Sequence, residues 1–159
     1  MILALFDFDG TITTRETMPD FIRYSVSKRR LFFGQLILAP LVLGYKLGFV
    51  SGSLVRRVIV RFAYSGMPRE NQAVLGKHFA ADYLPKFLRE EAMQRIEWHR
   101  RKGHKVVVVS GGLYPYLAPW CQEHELELIC SSLEHRNGRL TGLYSGEQCV
   151  LAEKARRVC

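Results

Sequence analysis

An apolar run, Ile2-Leu3-Ala4-Leu5-Phe6, opens the chain and ends abruptly in Asp7-Phe8-Asp9-Gly10-Thr11. Such a run predicts a buried parallel strand, and a parallel sheet delivers ligand-binding groups beyond the carboxyl ends of its strands. Asp7 and Asp9 therefore stand where a ligand can reach both. Two carboxylates one residue apart repel unless a cation lies between them, and hard oxygen donors favour Mg²⁺. Gly10 permits a close backbone turn, and Thr11 offers a hydroxyl and an N–H to an anion. Asp9-Gly10 taken alone would serve equally well as an ordinary turn.

A second junction of the same kind follows a hundred residues later. Val106-Val107-Val108-Val109 is a β-branched run that predicts a central parallel strand, and it ends in Ser110-Gly111-Gly112. The serine hydroxyl and the backbone N–H groups behind it can form an anion nest. Between the two junctions the pattern is mostly helical. Phe21 to Val26 begins one helix, Leu47 to Phe62 reads as another, and Ser65-Gly66-Met67-Pro68 marks a break. Leu84 to Lys102 carries apolar residues on one face and stops at Gly103.

Leu31 to Tyr45 is uncharged and interrupted by Gly34, Pro40 and Gly44. A spanning helix needs about 20 apolar residues, so this stretch predicts a buried or interfacial helical hairpin kinked at Pro40. Lys28-Arg29-Arg30 before it would also suit peripheral contact with an anionic membrane. After the second junction, Pro115 to Glu123 reads as a helix and Leu126 to Cys130 as a strand. Asn137-Gly138 fits a two-residue turn in a hairpin from Leu133 to Tyr144, and Glu147 to Val158 is a helix carrying Lys154.

Composition narrows the classes. With 159 residues and 48% hydrophobic content the chain can bury one core. The formal charge of +8 suits anionic partners, but the basic residues are scattered, with no nucleic-acid module around them, so no nucleic-acid partner is expected. The 4 cysteines form no close pair of the zinc or redox type, which suits reduced thiols in a cytoplasmic protein. Asp7 and Asp9 cut the N-terminal apolar run too short for a signal peptide.

These pieces in this order resemble the haloacid dehalogenase (HAD) superfamily, and within it the phosphoserine-phosphatase-like branch, subfamily IB. The resemblance implies an α/β fold: a Rossmann-like parallel sheet core, residues 1–13 and 102–159, with a helical-bundle cap, residues 14–101, inserted after the first strand. It also implies a Mg²⁺-dependent phosphatase acting on a small phosphorylated substrate. Asp7 matches the nucleophile, Asp9 the general acid and base, and Ser110 and Lys154 the groups that hold the phosphoryl oxygens. Asp7 and the backbone carbonyl of Asp9 match the metal ligands. Thr11, Gly111 and Gly112 lie on the matched phosphate-binding loops. Glu16 stands where the branch places an acid toward a substrate ammonium, and Arg57, with Arg56 beside it, would meet a carboxylate. The apolar cap segment is also similar to that of relatives acting on lipid phosphates. Family members carry a further acidic motif after the lysine. Here Cys159 lies only five residues past Lys154, so the expectation is either a fragment or a shortened homologue that binds metal weakly and acts as a binding module.

Overall fold

The computed structural model describes residues 2–149 and residue 156; the expected helix carrying Lys154 lies outside them. Three strands, β1 (Leu3–Asp7), β2 (Lys105–Leu113) and β3 (Glu127–Ser131), form a parallel sheet in the order β1-β2-β3. The valine run sits at its centre as expected, with Val108 fully buried. β1 pairs along its whole length, from Leu3 opposite Lys105 to Asp7 opposite Val109. It is parallel as expected but not buried as expected. Leu3 and Leu5 are exposed, because β1 is an edge strand among the described residues and only its other face meets the core.

Six α-helices accompany the sheet among the described residues: α1 (Met18–Ser25), α2 (Lys28–Lys46), α3 (Gly52–Tyr64), α4 (Arg69–His78), α5 (Glu90–Arg101) and α6 (Tyr114–Glu123). The expected hairpin between Leu31 and Tyr45 is instead the continuous helix α2, with Pro40 inside it. A proline removes one helical hydrogen bond, and in a helix this long the bonds on either side keep it unbroken. Residues 47–51 form a turn in which Gly48 takes φ +83°, so the next helix begins at Gly52, where Ser51 Oγ accepts from the Leu54 N–H. The expected helix from Leu84 splits into a short turn, Leu84–Phe87, and α5. Leu88 between them is extended, because Thr14 N–H donates to Phe87 O and Arg89 N–H donates to Ile12 O, tying this crossing to the segment after β1.

One aromatic core joins α1, α6 and the segment after α4 on the face of the sheet that carries Val106 and Val108. Phe21 of α1 stands 4.8 Å, ring to ring, from Tyr116 of α6, and Phe79 stands 5.3 Å from that tyrosine. Phe8 meets Trp120 edge-on at 5.0 Å. The α4–α6 contact is close enough to require glycine: a Cβ on Gly76 would lie 2.1 Å from the Pro115 carbonyl oxygen. The hairpin β4 (Leu133–Arg136) and β5 (Arg139–Tyr144) turns at Asn137 (φ 51°) and Gly138 (φ 74°), as Asn-Gly predicts. It docks on the α3–α4 junction, where Gly66 N–H donates to Leu140 O and Leu140 N–H to Met67 O.

Candidate active site

Asp7 ends β1, and the chain then closes a tight loop over Phe8–Ile12. The Thr13 N–H donates to Phe8 O at 3.0 Å, and Gly10 takes φ +75°, a left-handed turn that favours glycine. Phe8 and Ile12 are buried beneath the loop while Asp7, Gly10 and Thr11 remain exposed above it. Apolar anchors on alternate sides thus hold a polar rim in place. The Asp7 carboxylate accepts the following N–H, that of Phe8, at 3.0 Å.

Asp9 is held differently. Its Oδ1 accepts the Thr17 N–H at 2.9 Å and the Thr17 hydroxyl at 2.5 Å. Because Thr17 has one hydroxyl proton and gives it to Asp9, the buried Tyr116 hydroxyl, 3.1 Å away, donates to Thr17 Oγ. A chain therefore runs from Tyr116 through Thr17 to the Asp9 carboxylate. Burial raises the Asp9 carboxyl above its ordinary range; the Thr17 bonds oppose this, and the negative charges of Glu16 and Asp7 add to it. Burial also raises the Tyr116 phenol, so that residue stays a donor.

The β1–β2 register places Ser110-Gly111-Gly112 just beyond Asp7. There the β2–β3 pairing shifts: Val109 faces Ile129, but the next pair is Leu113 with Ser131. Four residues of β2 span two of β3, and the surplus takes Ser110 to Gly112 out of register. Ser110 is buried, with its Oγ accepting the Gly112 N–H at 3.0 Å. A Cβ on Gly112 would meet the Tyr116 hydroxyl at 2.5 Å, so only glycine fits beside the Thr17–Tyr116 chain.

A cavity of about 650 Å³ opens above these loops. Asp7, Asp9, Glu16 and Gly111 line it together with Tyr45, Gly52, Ser53 and Arg56. Of the expected site residues the structure thus brings Asp7, Asp9, Glu16 and Gly111 together. Ser110 and Gly112 lie directly behind Gly111, and Thr11 is on the exposed loop rim. Arg57 is exposed and outside the lining; its neighbour Arg56 takes the place, with Nη1 donating to Gly111 O at 2.9 Å. Lys154 lies outside the described residues. Helical periodicity alone could have separated the two arginines, since Val55, Ile59 and Phe62 mark the packed side of α3. Thr17, Tyr116 and Gln148 had no comparable signal. Gln148 lines the cavity and donates through Nε2 to Ser53 O at 2.9 Å.

Among the described residues no group of three acidic, histidine or cysteine side chains is arranged to hold a metal. The exposed Asp7 carboxylate in the cavity, with main-chain oxygen beside it, nevertheless suits Mg²⁺, which is bound through one or two carboxylates, substrate phosphate and several waters. The donor set fits that ion.

Residues 4–158 match the family model described as haloacid dehalogenase-like hydrolase. The chain is 28% identical over 165 residues to Protein CicA of Caulobacter vibrioides, covering 99% of this chain and 71% of that protein. A protein of unknown function from Bordetella pertussis Tohama I superposes with a TM-score of 0.76 at 21% identity, over 98% of this chain and 71% of that one. A phosphoserine phosphatase holding an analogue of its phospho-aspartyl intermediate gives 0.59 at 22% identity, over 90% of this chain and 62% of that one.

Proposed function

The chain belongs to the haloacid dehalogenase-like hydrolase family, and from that membership we propose that it hydrolyses a small phosphomonoester through a phosphorylated Asp7. The observation that carries this reading is the cavity in which Asp7 and Asp9 face the Gly111 loop. A phosphoserine phosphatase with a phospho-aspartyl analogue shares the fold, which supports the same chemistry.

A carboxylate oxygen of Asp7 attacks phosphorus, and the ester P–O bond breaks. The leaving alkoxide takes a proton from the Asp9 carboxyl. Water then gives a proton back to the Asp9 carboxylate as it attacks the aspartyl-phosphate, releasing phosphate and restoring Asp7. Thr17, itself held by Tyr116, keeps the Asp9 carboxyl aimed through both steps. The Ser110–Gly112 loop receives the phosphoryl oxygens, and Lys154 would neutralise their charge. Mg²⁺, held by Asp7 and the Asp9 carbonyl, would supply further positive charge to those oxygens. The helices inserted between β1 and β2 act as the cap, with α3 closing the cavity through Arg56.

Phosphoserine suits the cap side, where Glu16 would meet an ammonium and Arg56 a carboxylate. An amphiphilic phosphomonoester is a second reading. A neighbouring apolar cavity of about 410 Å³ lies between α2 and α3, and Ile59 lines both cavities.

The test is Mg²⁺-dependent phosphate release from p-nitrophenyl phosphate and from phosphoserine. Asp7→Asn, folded to the same melting temperature, is expected to abolish it on both. Retained turnover in that variant refutes the assignment of Asp7.

A further inference from the structure

Helix α2 is apolar on two opposite sides, and among the described residues only one of them is packed. Leu31, Leu38 and Val42 face α1 and α3 across the apolar cavity. On the other side Phe32, Phe33, Leu36 and Ile37 are 56–62% exposed, and Phe49 in the turn that follows is 85% exposed. A helix that is apolar all round belongs in an apolar environment. Large apolar side chains gathered into one exposed patch mark an interaction site.

The charge around the patch identifies the occupant. No carboxylate occurs between Asp20 and Glu70, a segment that carries nine arginines and lysines. Lys28 and Arg29 stand exposed at one end of α2 and Lys46 at the other. An apolar helix face with cations at both ends and no acid along it is complementary to an anionic lipid surface, where headgroups meet the cations and acyl chains the phenylalanines. With 19 residues, α2 is not long and apolar enough to cross a membrane. We propose that α2 and the turn through Phe49 seat the protein on the surface of an anionic bilayer, with the helix lying in the plane of the interface. Tyr45, near the end of the same helix, lines the catalytic cavity, so the docked surface adjoins the site.

Cosedimentation of the whole chain with vesicles tests this, comparing phosphatidylcholine alone with phosphatidylcholine mixed with phosphatidylglycerol. Binding is expected on the mixed vesicles only, falling as salt rises. Lys28→Glu/Arg29→Glu is expected to weaken it at least tenfold, since each basic residue contributes about fivefold at such a surface. Phe32→Ser/Ile37→Ser is expected to abolish it. Both pairs are exposed and outside the catalytic cavity, so melting temperature and phosphatase activity on soluble substrate should not change. Equal sedimentation of wild type and variants would overturn the proposal. So would dimerisation in the absence of lipid that the serine pair abolishes without any vesicle binding, which would assign the face to a second copy of this chain.

Discussion

Asp9 depends on a residue eight positions away for its orientation. Thr17 gives it two hydrogen bonds, and one of them carries the only proton that hydroxyl has. Thr17→Val keeps the shape and removes that bond together with the acceptor for Tyr116, leaving two buried polar groups short of partners. The expected cost is about 2–4 kcal/mol of stability, with kcat on p-nitrophenyl phosphate falling about tenfold or more. Thr17→Ser, which restores the hydroxyl, should recover most of both. Gly76 makes a purely steric case. An alanine Cβ there would fall 2.1 Å from the Pro115 carbonyl oxygen, and neither backbone can retreat without moving α4 or α6. Gly76→Ala is expected to lower stability by about 2–3 kcal/mol in urea titrations.

At the level of elements, the strand ends and one helix make the site. The Asp-x-Asp-Gly ending of β1 and the Val-Ser-Gly-Gly ending of β2 were both legible, because each joins a β-branched or apolar run to turn residues and no other element has that pattern. The register shift that frees Ser110–Gly112 was not legible, since it depends on where β3 pairs. Nor was the reach of α3 over the cavity. Arg56 and Arg57 are adjacent in sequence yet one lines the cavity and bonds to Gly111 while the other is exposed. If phosphoserine is turned over as proposed, Arg56→Ala is expected to raise its KM about tenfold or more, as loss of a charged contact of 1.5–3 kcal/mol implies, and Arg57→Ala to leave it within about twofold. A larger effect from Arg57 would reverse that assignment. The segment expected as a hairpin runs on through Pro40 as the single helix α2, because one lost hydrogen bond is outweighed by the turns on either side.

Across the whole molecule, burial of ionisable groups sets an alkaline limit. Burial pushes the Cys121 thiol up to about 12 and the Tyr144 phenol to about 12, and raises Tyr64 and Tyr116 as well. In the unfolded chain these thiol and phenol groups ionise near about 8.5 and 10. A group whose folded value is raised contributes stability that is complete below its unfolded value and is lost as pH climbs through the folded one. The urea midpoint should therefore hold steady to about pH 8.5 and fall progressively toward pH 12. Cys121 should also resist thiol reagents at pH 8 until the protein unfolds. A midpoint that stays level to pH 11 would contradict the buried placement of these groups.

The sequence by itself determined the parallel sheet, the Asp-x-Asp-Gly and Ser-Gly-Gly loops at its strand ends, the Asn-Gly hairpin and the family. All of these rest on local patterns: apolar runs, turn residues and their order along the chain. Only the tertiary structure decided that Thr17 and Tyr116 stand behind Asp9, that α3 lies over the cavity, and that one side of α2 has no packed partner among the described residues. Those outcomes depend on how helices rotate and cross once a shared core of Phe8, Phe21, Phe79, Tyr116 and Trp120 closes. That rotation is set by contacts between residues distant in the chain, which no local pattern encodes.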